Sequence, residues 1–260
     1  MSETSYAAIV TSVHGRTGKT LLSRVIAEYF ILSDQVPAVF DTDTIERSLS
    51  ECFPDQSFVV DLADVRGQMA LFDSLVQPGP DSRVVDLSHL SYRRFFDLMR
   101  DTDFIAEARR NGVEPVIFFI ADRNRDSFEQ GRVLLERFAD CTVAIVDNAH
   151  LRRATSAIRF SLDYQVLEAY DLHLHMPSLD PVAASVVEDP TLSLGDILRA
   201  PIPLNSADCG DLALNARASI RGWMVRLVRE IHRVTHSLDT RLAPEAIPLL
   251  EAPVAHRSDA

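Results

Sequence analysis

Short apolar runs that alternate with helical segments constrain the fold of this chain more than any other feature. Each run has the length of a strand, and turn residues or stretches with apolar residues at helical spacing separate the runs. This alternation predicts the α/β class, with a mostly parallel, doubly wound sheet and helices on both faces. Strands are predicted at residues 7–10, 36–43, 57–62, 83–86, 114–122, 141–148 and 172–177.

Length and composition favour one domain. The chain has 260 residues, of which 47% are hydrophobic, and this suffices for one sizeable core. We assign residues 1–237 to that domain and expect the Pro- and Ala-rich residues 238–260 to form a flexible tail. The N-terminus lacks the pattern of a signal peptide, and no run approaches a membrane span, so we expect a cytoplasmic protein. Because Cys52, Cys141 and Cys209 lack metal-ligand spacing, we expect reduced thiols and no zinc site.

Helical spacing is strongest near the end of the predicted domain. Residues 212–237 carry Leu, Ile, Trp and Val on one face and Arg mainly on the other. We interpret this segment as a closing helix that packs on the sheet, with contact of its Arg face to DNA or a membrane as the alternative. The net charge of −12 argues against a surface devoted wholly to nucleic acid. Other helices are predicted directly after residue 20 and at residues 64–75, 92–112 and 125–139.

A glycine-containing loop joins the first strand to the first helix. It contains Gly15, Gly18, Lys19 and Thr20, but Val13 stands where the usual phosphate-binding signature has its first Gly. The strict motif is therefore incomplete, and an ordinary strand-to-helix turn is the alternative. The context favours phosphate binding, because amides at such a loop and at a helix N-terminus point towards a bound anion.

The basic residues supply an independent argument. Lys19 is the single lysine of the chain, and every other member of the 26 Lys and Arg is Arg. A phosphate-binding loop needs a slim ammonium group that folds back over the β- and γ-phosphates, and Arg is too bulky for that position. The placement of the single lysine directly after Gly18 therefore supports nucleotide binding.

Four segments together resemble the ParA/MinD group of P-loop ATPases: "VHGRTGKT", "VFDTDTIERSLS", "VVDLSH" and "VAIVDN". The resemblance spans roughly residues 5–235, and in this group the loop normally reads Lys-Gly-Gly-x-Gly-Lys-Thr. It implies a P-loop NTPase fold with ATP and Mg²⁺ as ligands. The nucleotide-binding loop would then comprise Gly15, Thr17, Gly18, Lys19, Thr20 and Leu21.

The resemblance also implies a role for each polar residue at the strand ends. Lys19 would contact the β- and γ-phosphates, and Thr20 the Mg²⁺ ion. Asp41 would position or activate the attacking water, and Asp86 would hold Mg²⁺ through water as the Walker B carboxylate. Asn148 would lie near the adenine. The alternative for Asp41, Asp86 and Asn148 is that they only shape the turns after their strands.

Two loop positions depart from the group. Its first Lys reaches across a nucleotide-bridged dimer into the partner's site, and His14 stands at that position here, whereas Arg16 replaces the second Gly. His14 is only partly protonated near neutrality, so it is a weaker substitute for a permanent charge. Arg16 is the other candidate for a catalytic cation, in cis or in trans, unless it only points to solvent.

These features favour an ATP-binding, ParA/MinD-like switch protein. Such a protein would be a slow ATPase that forms a nucleotide-dependent homodimer and engages a protein partner or cargo adaptor in plasmid partition, positioning or DNA transfer. The departures at His14 and Arg16 leave a non-hydrolysing, nucleotide-bound scaffold open. A small-molecule kinase or ligase of the same superfamily is a further alternative, and it would need a second, polar acceptor pocket.

Overall fold

Seven parallel strands form one sheet in the computed structural model, which describes residues 4–199 and 211–236. The strand order is β3-β2-β4-β1-β5-β6-β7, and every neighbouring pair is parallel. All seven strands coincide with predicted segments, and the predicted α/β class with a parallel, doubly wound sheet is confirmed. The strands are β1 Ser5–Thr11, β2 Ala38–Asp41, β3 Ser57–Val59, β4 Arg83–Asp86, β5 Val113–Ile120, β6 Thr142–Asn148 and β7 His173–Met176.

Helices cover both faces of the sheet. In the described part of the chain they are α1 Lys19–Leu32, α2 Ser48–Cys52, α3 Val65–Val76, α4 Tyr92–Asp101, α5 Phe104–Arg110, α6 Arg125–Arg137, α7 Ser156–Arg159, α8 Leu162–Glu168, α9 Pro181–Val187, α10 Leu194–Arg199 and α11 Asp211–His236. A short 3₁₀ turn at His89–Ser91 follows β4. One apolar layer lies between the sheet and α1, α9, α10 and α11, and the other lies between the sheet and α3–α6.

The sequence of the central strand β1 is apolar without alternation, and the burial of both its faces explains this pattern. Tyr6, Ala8 and Val10 face the first layer, whereas Ala7 and Ile9 face the second, and all five side chains are buried. A parallel strand covered by helices on both faces has no solvent side, so both sets of positions must be apolar.

The sheet order reverses at β1. The chain leaves β1 towards β2 and β4 on one side and adds β5, β6 and β7 on the other. In such sheets a crevice opens at the carboxyl ends of the strands where the order reverses. Asp86 is the register partner of both Val10 and Asp41, so the two strand-end carboxylates lie side by side at this edge.

Residues 92–112 form two helices rather than the single predicted one. Between them, Asp103 adopts a left-handed backbone with φ of 51°, which ends the helical run. Asp tolerates this conformation better than most residues. The break allows Phe104, which is 1% exposed, to pack edge-on against Phe72 with ring centroids 5.4 Å apart.

The short helices α2 and α7–α10 were not predicted. They have four to seven residues each, too few turns for a periodic apolar pattern to be recognised. The sequence does contain a start signal for α9, namely an Asp followed by Pro181. In the structure the Asp180 carboxylate caps this helix by accepting a hydrogen bond from the Ala183 amide at 2.9 Å.

The Arg-rich helix packs on the sheet as predicted. Ile220, Trp223, Leu227, Ile231 and Val234 of α11 are buried in the layer that also contains α1. Its Arg226, Arg229 and Arg233 are exposed. Ser237, the expected tail at 238–260 and Cys209 lie outside the described residues. No helix among residues 4–199 and 211–236 combines the length and apolar character needed to cross a membrane.

Candidate phosphate-binding site

The loop between β1 and α1 has a backbone shape that suits an anion. Arg16 and Gly18 both lie in the left-handed region, with φ of 58° and 91°. A side chain at Gly18 would also bring its Cβ within 2.8 Å of the Asn148 Nδ2 atom, so this position needs glycine. No side chain caps the start of α1, which has no acidic residue in its first turn. The first amides of α1 are therefore available to a phosphate.

Lys19 folds back along this loop. Its Nζ atom donates hydrogen bonds to the Ser12 Oγ atom at 3.1 Å and to the His14 carbonyl oxygen at 3.0 Å. The side chain is 8% exposed, and this burial lowers the pKa of the ammonium group, although nearby Asp86 acts in the opposite direction. Because both hydrogen-bond partners of this buried ammonium group are neutral, an anion placed beside it would stabilise it.

Thr20 and Asp86 form the second polar group of the site. The Thr20 hydroxyl donates to the Asp86 Oδ2 atom at 2.6 Å, and the Ser23 hydroxyl donates to Oδ1 at 3.2 Å. Burial raises the pKa of the Asp86 carboxyl from its usual value of 3.8 to about 6, although the hydrogen bond from Thr20 lowers it. A hydroxyl and a buried carboxylate are oxygen donors that fit Mg²⁺, with the nucleotide and water completing its shell.

Asp41 lies at the same edge, but both of its carboxylate oxygens have backbone partners. The Oδ1 atom accepts from the Asp43 amide at 2.9 Å. The Oδ2 atom accepts from the amides of Leu49 and Ser50, at 3.0 and 3.2 Å, within the first turn of α2. Asp41 thus fastens α2 to the end of β2. Its predicted role in positioning water stays a prediction.

This geometry predicts that Asp41→Ala destabilises the fold. Asp41 is 1% exposed, and its removal leaves the buried Leu49 amide and two partly buried amides without their acceptor. We expect the free energy of unfolding to fall by about 2–3 kcal/mol, measured by urea denaturation. Asp55→Ala, which removes an exposed carboxylate near α2, should change it by less than about 0.5 kcal/mol. Equal stability of the two variants would contradict the anchoring role.

His14 is held within its own chain. Its Nδ1 atom lies 2.5 Å from the Asp122 carboxylate, and its Nε2 atom lies 3.0 Å from the Asp126 carboxylate. Both ring nitrogens are therefore engaged by residues at the end of β5 and the start of α6. Sequence reasoning did not find this contact, because Asp122 and Asp126 are more than 100 positions away and carry no motif.

The remaining predicted residues also converge on the loop. Arg16 is exposed and makes no hydrogen bond or ion pair with the described part of the chain. The Asn148 Nδ2 atom donates to the Thr17 carbonyl oxygen at 2.9 Å, so Asn148 supports the loop directly, and its predicted place near the adenine stays a prediction. Leu21 packs on the core, which leaves its backbone amide as its means of binding phosphate.

His89 is a site residue that sequence reasoning missed. A Cβ at Gly15 would lie 3.3 Å from the His89 Cε1 atom, so the imidazole covers the loop at Gly15. The available signal was its position three residues after Asp86, in the turn that follows β4. A single His at a strand end is too common a feature to be singled out on that basis.

The chain matches no protein-family model and no curated protein, but it is similar to solved structures. One is the septum site-determining protein MinD complexed with Mg-ADP from Pyrococcus horikoshii OT3, with 14% identity, coverage of 88% of this chain and 97% of that chain, and a TM-score of 0.46. Another is the MinC:MinD cell division protein complex of Aquifex aeolicus, with 13% identity, coverage of 88% and 96%, and a TM-score of 0.41. FlhF complexed with GMPPNP/Mg²⁺ matches at 13% identity over 68% of this chain and 67% of that chain, with a TM-score of 0.30.

Proposed function

We propose that this chain is an ATP-binding, ParA/MinD-like switch protein that binds Mg·ATP at residues 15–20 and hydrolyses ATP slowly. The observation that carries the proposal is the placement of Lys19. The single lysine of the chain is buried along a loop whose backbone amides are available to an anion. It precedes Thr20, whose hydroxyl is hydrogen-bonded to Asp86. Burial of an ammonium group costs free energy, and its hydrogen-bond partners here, the Ser12 hydroxyl and the His14 carbonyl oxygen, are neutral, so a bound phosphate would stabilise it further.

Each residue of the site has a task in this proposal. Lys19 exchanges its contacts with Ser12 and His14 for the β- and γ-phosphates, and the amides of the loop bind the remaining phosphate oxygens. Thr20 and Asp86 would hold Mg²⁺, which would supply charge neutralisation for the phosphates. Asn148 keeps the loop in shape through the Thr17 carbonyl oxygen.

The structure also bears on the choice between His14 and Arg16. His14 is bound to Asp122 and Asp126, so it would have to leave two carboxylates to reach a partner's site. Arg16 is exposed at the same loop and is the better candidate for a cation that acts on the phosphates in cis or in trans. We therefore propose that Arg16, rather than His14, replaces the charge of the missing Lys.

Two alternative functions each depend on a particular feature of the site. A scaffold that binds ATP without turnover follows if Arg16 does not act. A small-molecule kinase or ligase is favoured by a cleft of about 290 Å³ beside the site, whose lining includes Asp43, Asp61, Ser88 and Arg94. Its lining combines these polar groups with apolar side chains, as a pocket for a small acceptor molecule would.

Partners belong to the proposal as well. A nucleotide-dependent homodimer and a protein partner or cargo adaptor follow from the ParA/MinD resemblance. Contact with DNA or a membrane would use the exposed Arg226, Arg229 and Arg233 of α11, because the opposite face of the helix is buried.

Phosphate release and light scattering together test this function. Wild-type protein with Mg·ATP should release phosphate slowly and increase in mass to a dimer, whereas Mg·ADP should leave it monomeric. Arg16→Ala should lower turnover at least about tenfold and weaken binding less, because a cation that contacts the γ-phosphate acts mainly in the transition state.

The alternatives predict different outcomes. ATP binding without phosphate release above the buffer rate would support the scaffold. Binding without release until a small acceptor is added would support the kinase or ligase. Unchanged mass with both ATP and a slowly hydrolysed analogue would contradict the dimer.

A further inference from the structure

The imidazole of His89 lies over the phosphate loop. Relative to a Cβ at Gly15, the Cε1, Nδ1 and Nε2 atoms lie at 3.3, 3.5 and 3.7 Å. These similar distances show that the edge of the ring that bears both nitrogens faces the side of Gly15 on which a Cβ would stand. A Cβ at Gly15 would require the imidazole to shift by a few tenths of an ångström, so glycine favours this close approach.

The segment that carries His89 is fixed to the sheet. The Leu87 amide donates to the Val10 carbonyl oxygen at 3.0 Å, and the Ser88 amide donates to the Thr42 hydroxyl at 2.7 Å. The Ser91 amide closes the turn on the Ser88 carbonyl oxygen at 2.9 Å. His89 is thus presented from a backbone that β1 and β2 both hold, as a precisely placed functional group requires.

The other candidates for handling a water molecule at this edge already have partners. Both oxygens of Asp41 accept backbone hydrogen bonds, and both nitrogens of His14 face carboxylates. Asp43 uses its Oδ1 atom to accept from the amides of Ile45 and Glu46. The ring nitrogens of His89, by contrast, make no hydrogen bond with the residues that the structure describes.

The surroundings of His89 favour its neutral form. Burial lowers the pKa of its imidazole, and the charges of Lys19 and His14 lower it further, whereas Asp43 and Glu46 raise it. A neutral imidazole has one nitrogen that accepts a hydrogen bond and one that donates.

We propose that His89 is a catalytic residue that holds the attacking water during ATP hydrolysis at this site, by accepting a hydrogen bond from it. The proposal rests on the function proposed above. The water oxygen forms a bond to the γ-phosphorus while the bond from that phosphorus to the β,γ-bridging oxygen breaks. The electron pair of the broken bond leaves with ADP, and the proton of the water passes to a phosphate oxygen, so no further reactant is needed.

The test compares His89→Ala and His89→Gln with His150→Ala, which removes an exposed imidazole at the same edge of the sheet. His89→Ala should lower steady-state phosphate release at least about 30-fold and change the Kd of Mg·ATP by less than about threefold. His89→Gln should retain more activity, because its amide oxygen can accept the same hydrogen bond. His150→Ala should match the wild type in both measurements.

A pH profile separates a chemical role from a structural one. Wild-type turnover should rise with pH over the range below about 6.5, as the imidazole loses its proton, and His89→Gln should lack this part of the rise. Because the comparison uses the difference between the two profiles, the titration of any other group that both proteins share cancels.

The outcomes distinguish this inference from the proposed function. If wild-type protein does not bind Mg·ATP, the proposed function fails. If it binds ATP without turnover, or if His89→Ala turns over as fast as the wild type, the function as a nucleotide-binding protein stands and the role of His89 is overturned.

Discussion

Lys19→Ala is expected to weaken Mg·ATP binding at least about 100-fold, which corresponds to about 2.7 kcal/mol of lost binding free energy. The ammonium group is the single buried cation that lies along the loop, and the amides alone cannot neutralise the charge of the β- and γ-phosphates. The loss should be visible as a changed Kd in a calorimetric titration.

Two controls make this result specific. Arg93→Ala removes one positive charge from the exposed face of α4 and should leave the Kd unchanged. Circular dichroism should show that Lys19→Ala remains folded, because the partners of the ammonium group, Ser12 and the His14 carbonyl oxygen, are polar groups of the loop. Binding by Lys19→Ala within about threefold of the wild type would show that the phosphates do not bind here.

Asp86→Asn is expected to change stability and ligand binding in opposite directions. The carboxyl is buried, and its pKa in the folded protein is about 6, against an ordinary value of 3.8. A shift of about two units corresponds to about 3 kcal/mol of unfavourable free energy when the folded protein holds the group ionised. Without nucleotide, Asp86→Asn should therefore raise the free energy of unfolding at pH 7.5 by about 2 kcal/mol, since Asn still accepts from Thr20.

The same substitution should remove most of the Mg²⁺-dependent gain in ATP affinity, because an amide is a poorer partner for the ion or its bound water than a carboxylate.

The pH dependence of the free energy of unfolding checks the stability prediction. As pH rises from about 4 to about 6, the folded wild type binds more protons than the unfolded chain and loses stability, and Asp86→Asn should lack this loss. A variant that is less stable than the wild type at both ends of this range would contradict the buried, ionised carboxylate.

The amino-acid sequence was sufficient to predict the strands and helices that have clear local patterns. The apolar runs of β1, β4, β5 and β6 are long or are bounded by turn residues, and their order along the chain fixes a parallel sheet. The strand-end positions of Asp41 and Asp86 then follow, because the carboxyl ends of parallel strands share one edge. The loop between β1 and α1 could be located from the sequence because it also follows the carboxyl end of a predicted strand.

Contacts between distant residues could not be predicted. The pairing of His14 with Asp122 and Asp126 depends on how β5 and α6 are placed beside the loop, and no spacing in the sequence encodes it. The same holds for the fastening of α2 by Asp41, because α2 is too short to be recognised. The break at Asp103 within a continuous helical pattern was missed because tertiary packing of Phe104 outweighs local propensity there.

A calorimetric titration of the wild-type protein with ATP, with and without Mg²⁺, tests whether the loop at residues 15–20 binds nucleotide. We expect one saturable site per chain, a Kd on the order of micromolar with Mg²⁺, and weaker binding when EDTA removes the ion. Absence of binding heat, together with an unchanged melting temperature at millimolar Mg·ATP, would contradict the assignment of residues 15–20 as a nucleotide-binding loop.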